Sequence, residues 1–430
     1  MDSITQGLLG ATVAHVGFSE RLGPRAKLIG AICGVLPDLD MFTRVLGPWA
    51  SMKYHRAESH SLLVLSIVAP LIAWILIKAG RKRDEFWSWT ALCWWSLCTH
   101  PILDGFTSYG TQLLAPVSRH RFAWDGIAII DPIYSTLLLA AVLIASYSQS
   151  TSEFPKRLVK GALLLSCLYL LLGYTFGRYV EHRFHQRLER EGVEDIVEMR
   201  ATPTLLNIFL WHVVVKREDG NFILGQMSGL VPDEPCFFSL QSQQDMLVRN
   251  ALDTREGRLF RWFAQGMVSA EVKDDTVTLY DHRYGMASSP KSTPFCCRFV
   301  FDENGYLLEA KRVRGNRERL SIKKEFSLLL EKIIKGARLV DAPPTSTKAK
   351  SAGHDSVRRD SVRHDSVRHD SVRRSSERPD SGRRETVRQD SVRHDSVRLS
   401  DETAHARSIS TSLYGLTGEH FIQAHGRKNS

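Results

Sequence analysis

The chain has no Cys-x-x-Cys pair, no glycine-rich phosphate loop, no Gly-x-Ser-x-Gly elbow and no zinc-finger spacing. Those absences argue against dithiol redox chemistry, P-loop nucleotide hydrolysis, α/β-hydrolase catalysis and small zinc modules. Its 7 cysteines are an odd number without regular spacing. Cys33, Cys93, Cys98 and Cys167 lie in apolar runs, where a thiol behaves as a small hydrophobe, so no disulfide framework is expected. The start lacks the basic region of a secretory signal, with Asp2 in its place, and no small-residue cleavage site follows. The 29 glycines, 16 prolines and charge pattern exclude a collagen-like or coiled-coil chain.

What is present is unevenly placed. Hydrophobic residues make up 43% of 430, and the mean hydropathy of −0.18 would suit a soluble protein. The apolar residues, however, crowd into the first 180 positions and the polar ones into the last 80. Lys and Arg number 57 against 47 Asp and Glu, a net charge of +10. That excess suits an anionic membrane surface or nucleic acid, and charge alone decides neither. The apolar runs decide for membrane lipid, with no specific nucleic-acid partner expected.

Asp2 or Ser3 can cap a helix running to about residue 16. A second short apolar stretch, 26–36, ends at Pro37 and is too short to span a bilayer. Four longer stretches follow, at 61–78, 86–102, 127–147 and 158–176. Each is about 17–21 residues, the length that roughly 30 Å of hydrocarbon requires. The second is the weakest, because Thr99, His100 and Asp104 sit at its end. Lys78, Arg81, Lys82 and Arg83 in the first loop, and Lys156, Arg157 and Lys160 in the third, mark one shared side as cytoplasmic. Beyond residue 178 an amphipathic helix gives way to strand-like runs joined by Asp219-Gly220 and Asn304-Gly305, strong hairpin signals. From 355 to 399 the chain repeats a five-residue unit of the DSVRH type, with one Val per unit. Such a segment cannot bury enough apolar surface to offset chain entropy. The expected architecture is an all-α helical membrane domain over 1–177, with about four transmembrane helices plus short N-terminal helices. A small α+β domain over 178–340 and a disordered tail over 341–430 complete it.

The membrane part contains His and Asp that hydrophobic segments normally avoid. Asp38 and Asp40 are two apart, and His55 and His60 precede the first apolar stretch. His100 and Asp104 are four apart, so on a helix they share one face. Asp125 and Asp131 lie at the start of the third stretch. Hairpin topology brings these places to one membrane face. Imidazole plus carboxylate is the ligand mix of zinc, or of a two-metal hydrolase that also accepts manganese. A metal ion so held activates water and polarises a phosphoryl or carbonyl oxygen, and an Asp outside the ligand set can act as general base. Against this stands the plainer account, in which such groups snorkel, cap helices or pair with Arg56, Arg119 or Arg121.

The segments MDSITQGLLGATV, GAICGVLPDLD, HRAESHSL, HPILD and FAWDGIAIIDP resemble the YdjM-type inner-membrane family, described as metal-dependent hydrolases. The resemblance covers about residues 1–135 strongly and extends loosely to about 315. It implies an inner-membrane, multi-pass protein whose helical domain is similar to phosphate-ester-cleaving zinc bundles. Carried over by position, Asp38, His60, His100 and Asp104 are the expected metal ligands, with His55 a further candidate. Asp40 and Asp131 are the candidate catalytic carboxylates. A divalent metal, zinc first, and a phosphoester or phospholipid substrate follow. Gln6 stands where many relatives have His. The alternatives are a non-catalytic membrane protein with a structural or metal-sensing polar cluster, and a transporter, against which the lack of an internal repeat argues.

Overall fold

The computed structural model describes residues 1–147, 154–231, 236–289, 291–315 and 322–337. These all fall in one compact unit, Met1–Lys348. The expected disordered tail at 341–430, with its repeats at 355–399, lies outside the described residues.

Helix α1 (Ser3–Gly17) starts where Asp2 caps it, its Oδ1 accepting from the Thr5 amide at 2.9 Å. A single turn, α2 (Ser19–Leu22), leads to α3 (Arg25–Val35), which runs on into a 3₁₀ segment (Leu36–Leu46) with Pro37 in its first turn. Small residues let α1 and α3 touch backbone to backbone. A Cβ on Gly10 would stand 2.2 Å from the Gly30 carbonyl oxygen, and one on Gly34 would stand 2.5 Å from that of Gln6. After α4 (Pro48–Tyr54), α5 (Leu62–Lys78) packs Leu65, Ala69 and Ala73 into a common core with Trp89, Leu92, Cys93 and Leu97 of α6 (Phe86–Gly105). A loop then leads to α7 (Pro132–Tyr147) and α8 (Phe154–Arg190).

Four transmembrane helices are not confirmed. Among the described residues only α8, 37 residues long, is long and apolar enough by itself to cross a membrane. α5 reaches that length only together with Pro48–His60, from which it is bent by 58°. α6 has 20 residues, but its last turns carry Thr99, His100 and Asp104, and the latter two are wholly buried. α7 has 16 residues, because the chain before Pro132 is loop rather than helix. There Asp131 accepts the amides of Ile133 and Tyr134 at 3.0 and 3.1 Å and so fixes the helix start.

α8 runs unbroken through residue 178, and its last turns bury Val180, Phe184 and Leu188 against Trp211, Val213, Val215 and Ile223. Those side chains belong to a four-stranded antiparallel sheet in chain order: β1 (Ile196–Pro203), β2 (Leu210–Arg217), β3 (Phe222–Ser228) and β4 (Cys236–Leu240). α9 (Met246–Asp253) and α10 (Arg255–Phe263) precede a second such sheet. It holds β5 (Val268–Lys273), β6 (Thr276–Asp281), β7 (Phe295–Phe301) and β8 (Leu307–Arg314), and α11 (Ile322–Lys335) follows. The expected hairpin turns are there, with Gly220 and Gly305 at φ +79° and +80°. Met52 of α4 shares a core with Phe260, Phe263, Phe299 and Val277, which ties the second sheet to the helices.

The α1–α3 contact yields a test. Gly10→Val should destabilise the protein by about 1–3 kcal/mol through overpacking, read as a lower Tm in detergent micelles. Gly161→Ala on α8, where nothing lies within 4 Å, should leave Tm unchanged or raise it.

Candidate metal centre

Three separate parts of the helical region deliver four ligand-type side chains to one point. Asp38 comes from the 3₁₀ segment after α3. His60 ends a short 3₁₀ turn (Glu58–His60) and stands one residue before the Ser61 cap of α5. His100 and Asp104 lie one turn apart on the inward face of α6. One ligand atom from each lies within 4.8 Å of all the others. His60, His100 and Asp104 have no exposed surface, and Asp38 keeps 9%.

The imidazole protons can be placed from their partners. His100 Nδ1 is 2.6 Å from the Gly34 carbonyl, which can only accept, so Nδ1 carries the hydrogen. His60 Nδ1 is 2.9 Å from Ser59 Oγ, whose own hydrogen goes to Asp40 Oδ2, so this Nδ1 carries its hydrogen as well. Each ring therefore presents Nε2 to the other, and the two Nε2 atoms are 3.0 Å apart. Asp38 Oδ1 stands 3.4 Å from His100 Nε2 and 3.8 Å from His60 Nε2. Asp104 Oδ2 stands 3.6 and 3.3 Å from the same atoms.

Two buried carboxylates facing each other repel unless positive charge lies among them, as a proton on an imidazole or as a bound cation. Four ligands around a tetrahedral zinc, at about 2.0–2.1 Å each, stand about 3.3 Å apart. The edges of this group bracket that value, so the residues fit a divalent cation. Among the described residues Asp104 Oδ2 has no hydrogen-bond partner, although Arg56 Nε is 2.9 Å away as an ion pair outside hydrogen-bond alignment. The other Asp104 oxygen takes Gln6 Nε2 at 3.1 Å and the Met1 terminal amine.

The surrounding contacts orient the ligands. Asp40 accepts from His55 Nδ1 at 2.6 Å, the Arg56 amide at 2.8 Å and Ser59 Oγ at 2.7 Å, and its Oδ2 stands 3.1 Å from His60 Nδ1. It is thus saturated and acts on the group through His60, as an outer carboxylate does in a carboxylate–histidine–metal arrangement. Ser3 Oγ donates to Asp38 Oδ2 at 2.5 Å. Burial pushes the Asp38 carboxyl up, but His100 and Ser3 outweigh it and hold the group down at about 2. Asp38 is therefore ionised throughout the physiological range.

The remaining expected residues, His55, Asp131 and Asp125, take other positions. His55 lies one carboxylate away, on the far side of Asp40, with its ring 6.0 Å from that of His60. Asp131 caps α7 and accepts from Tyr169 Oη at 2.9 Å. Asp125 accepts from Nε and Nη2 of the Arg200 guanidinium, the shortest contact being 2.7 Å. Glu58 pairs with Arg119 at the surface, and His15 lies nine residues beyond Gln6 on α1, about 13 Å along the axis. The Asp281–Arg283 turn is closed by a buried ion pair of 2.7 Å, and Arg283 Nη1 reaches the Ser108 carbonyl at 3.1 Å. Sequence reasoning did not anticipate Ser3 or the Gly34 carbonyl as supports, since a hydroxyl or a backbone oxygen carries no signature of its own.

Residues 1–180 match the YdjM inner membrane protein family. All four clustered residues fall within this YdjM segment, together with Asp40 and Gln6. YfhP of Bacillus subtilis (strain 168), a protein itself named as uncharacterized, is 25% identical over 241 residues. That stretch is 54% of this chain and 70% of YfhP. No solved structure matches the chain.

Two outcomes follow from the geometry. Elemental analysis of the purified protein should find a divalent metal, and Asp38→Asn or His100→Ala should remove most of it. Asp40→Asn should keep the metal but weaken its affinity by about 10–100-fold, measured by competition with a chelator.

Proposed function

We propose that this chain is a multi-pass inner-membrane, metal-dependent hydrolase that cleaves phosphoester bonds at the non-cytoplasmic face, on a phospholipid or other lipid-associated phosphoester. The observation that carries this reading is the pair of Nε2 atoms, 3.0 Å apart, flanked by the Asp38 and Asp104 carboxylates inside the YdjM segment. Asp38, His60, His100 and Asp104 would hold the ion. When bound, a divalent metal of the zinc type supplies Lewis acidity toward a phosphoryl oxygen and makes water acidic enough to attack at neutral pH. Ser59, itself bonded to Asp40, takes the Nδ1 proton of His60 and the Gly34 carbonyl takes that of His100, so both rings keep the orientation that ligation needs. Asp38 is the only member of the four with exposed surface, so substrate and water approach from its side, past Ser3. Arg56, fixed beside Asp104, offers positive charge next to the group.

One observation favours a second reading, that of a structural or metal-sensing site without catalysis. Three of the four residues are fully closed off, and closed four-ligand sites are the structural kind. The two readings separate in one assay. Purified protein in micelles, stripped with chelator and reloaded with zinc or manganese, is offered p-nitrophenyl phosphate, bis-p-nitrophenyl phosphate and a fluorescent phospholipid. Hydrolysis that depends on metal and disappears in His100→Ala supports the hydrolase. Metal retained at full occupancy with none of the three cleaved supports the structural site.

A further inference from the structure

Beyond the YdjM segment, the second sheet places a nucleophile against a base inside a cavity. Ser269 on β5 and His282, the residue after β6, meet across the β5–β6 hairpin, with Ser269 Oγ 2.6 Å from His282 Nε2. Both line a cavity of about 590 Å³ together with Tyr280, Glu271, Gln243 and Lys291. Ser269 is 4% exposed and His282 3%. The base is held firmly by its own backbone. The His282 amide donates to the Met267 carbonyl at 3.0 Å, and its carbonyl accepts from His212 Nε2 at 2.9 Å. His282 Nδ1 has no hydrogen-bond partner, because the adjacent Asp281 carboxylate is taken by Arg283. Burial, with His212 beside it, lowers His282 to about 4. The ring is therefore neutral at physiological pH and able to take a proton.

We propose that Ser269 and His282 form a dyad that transfers the acyl group of a small polar ester bound in this cavity. Ser269 Oγ adds to the ester carbonyl carbon as its proton passes to His282 Nε2. Collapse of the adduct breaks the bond to the alcohol oxygen, which leaves with that proton. Water then attacks the Ser269 ester with His282 again taking and returning the proton, which releases the acid and restores the hydroxyl. Among the described residues no carboxylate supports Nδ1, and loss of that support costs a catalytic triad about 10⁴-fold in rate. Covalent capture is therefore a better readout than turnover.

The full-length protein in detergent micelles is treated with diisopropyl fluorophosphate, from which Ser269 would displace fluoride, and digested for mass spectrometry. The expected result is an adduct on Ser269 that falls about tenfold or more in His282→Gln and persists after chelator treatment, which separates it from the metal centre. An unlabelled Ser269 in the wild-type protein overturns the proposal, as does undiminished labelling in His282→Gln. Should His282→Gln fail to fold, slow hydrolysis of p-nitrophenyl acetate is compared between wild type and Ser269→Ala. Loss in Ser269→Ala supports the dyad, and equal rates overturn it.

Discussion

Two imidazole Nε2 atoms and two carboxylates, packed within 4.8 Å where almost no water reaches, form the constraint on which the rest of the molecule depends. An isolated buried charge costs several kcal/mol even after relaxation. A set of like-signed donors is tolerable only if cationic charge sits among them. Arg56 supplies part of it, directed at Asp104. It does not enter the space between the two Nε2 atoms as a hydrogen-bond partner, and that is the place a divalent ion fits.

The surrounding architecture can be understood as a means of holding that group. The glycine contact of α1 with α3 brings Gln6 against Asp104 and places the Gly34 carbonyl under His100. The 3₁₀ segment after α3 carries Asp38 inward and, two residues on, sets Asp40 behind His60. α6 gives its C-terminal turns to the cluster, and for that reason it does not have the composition of a plain membrane span. The sheet domain joins in through Arg283, which braces the Ser108 carbonyl in the loop just after α6. The site thus rests on backbone carbonyls, one saturated carboxylate and close helix packing rather than on a flexible loop.

Much of this was legible in the sequence, and the reasons are specific. His100 and Asp104 are four apart, and helical periodicity alone puts them on one face. Asp38 and His60 carry no such local signal, but each sits next to a helix end, where topology gathers chain ends together. The Asp-Gly and Asn-Gly turns announced two hairpins, because left-handed backbone there demands glycine. Span counting was less successful, because hydropathy averages do not register that a helix turns polar groups inward, as α6 does, or starts late behind a capping carboxylate, as α7 does at Asp131. His55 and Asp40 were read as a ligand and a catalytic carboxylate. Sequence spacing cannot distinguish a group that touches a metal from one that orients its ligand, since both are His or Asp beside the same helix ends. The Ser269–His282 pair had no sequence signature, because its partners meet only through strand register.

X-ray absorption spectroscopy at the zinc edge of the zinc-loaded, full-length protein tests the central claim most directly. The account predicts a four-coordinate shell of two imidazole nitrogens and two oxygens at about 2.0–2.2 Å, with the outer-ring scattering of histidine. A sulfur-containing shell, a shell of oxygens without imidazole, or a protein that takes up no zinc would contradict it.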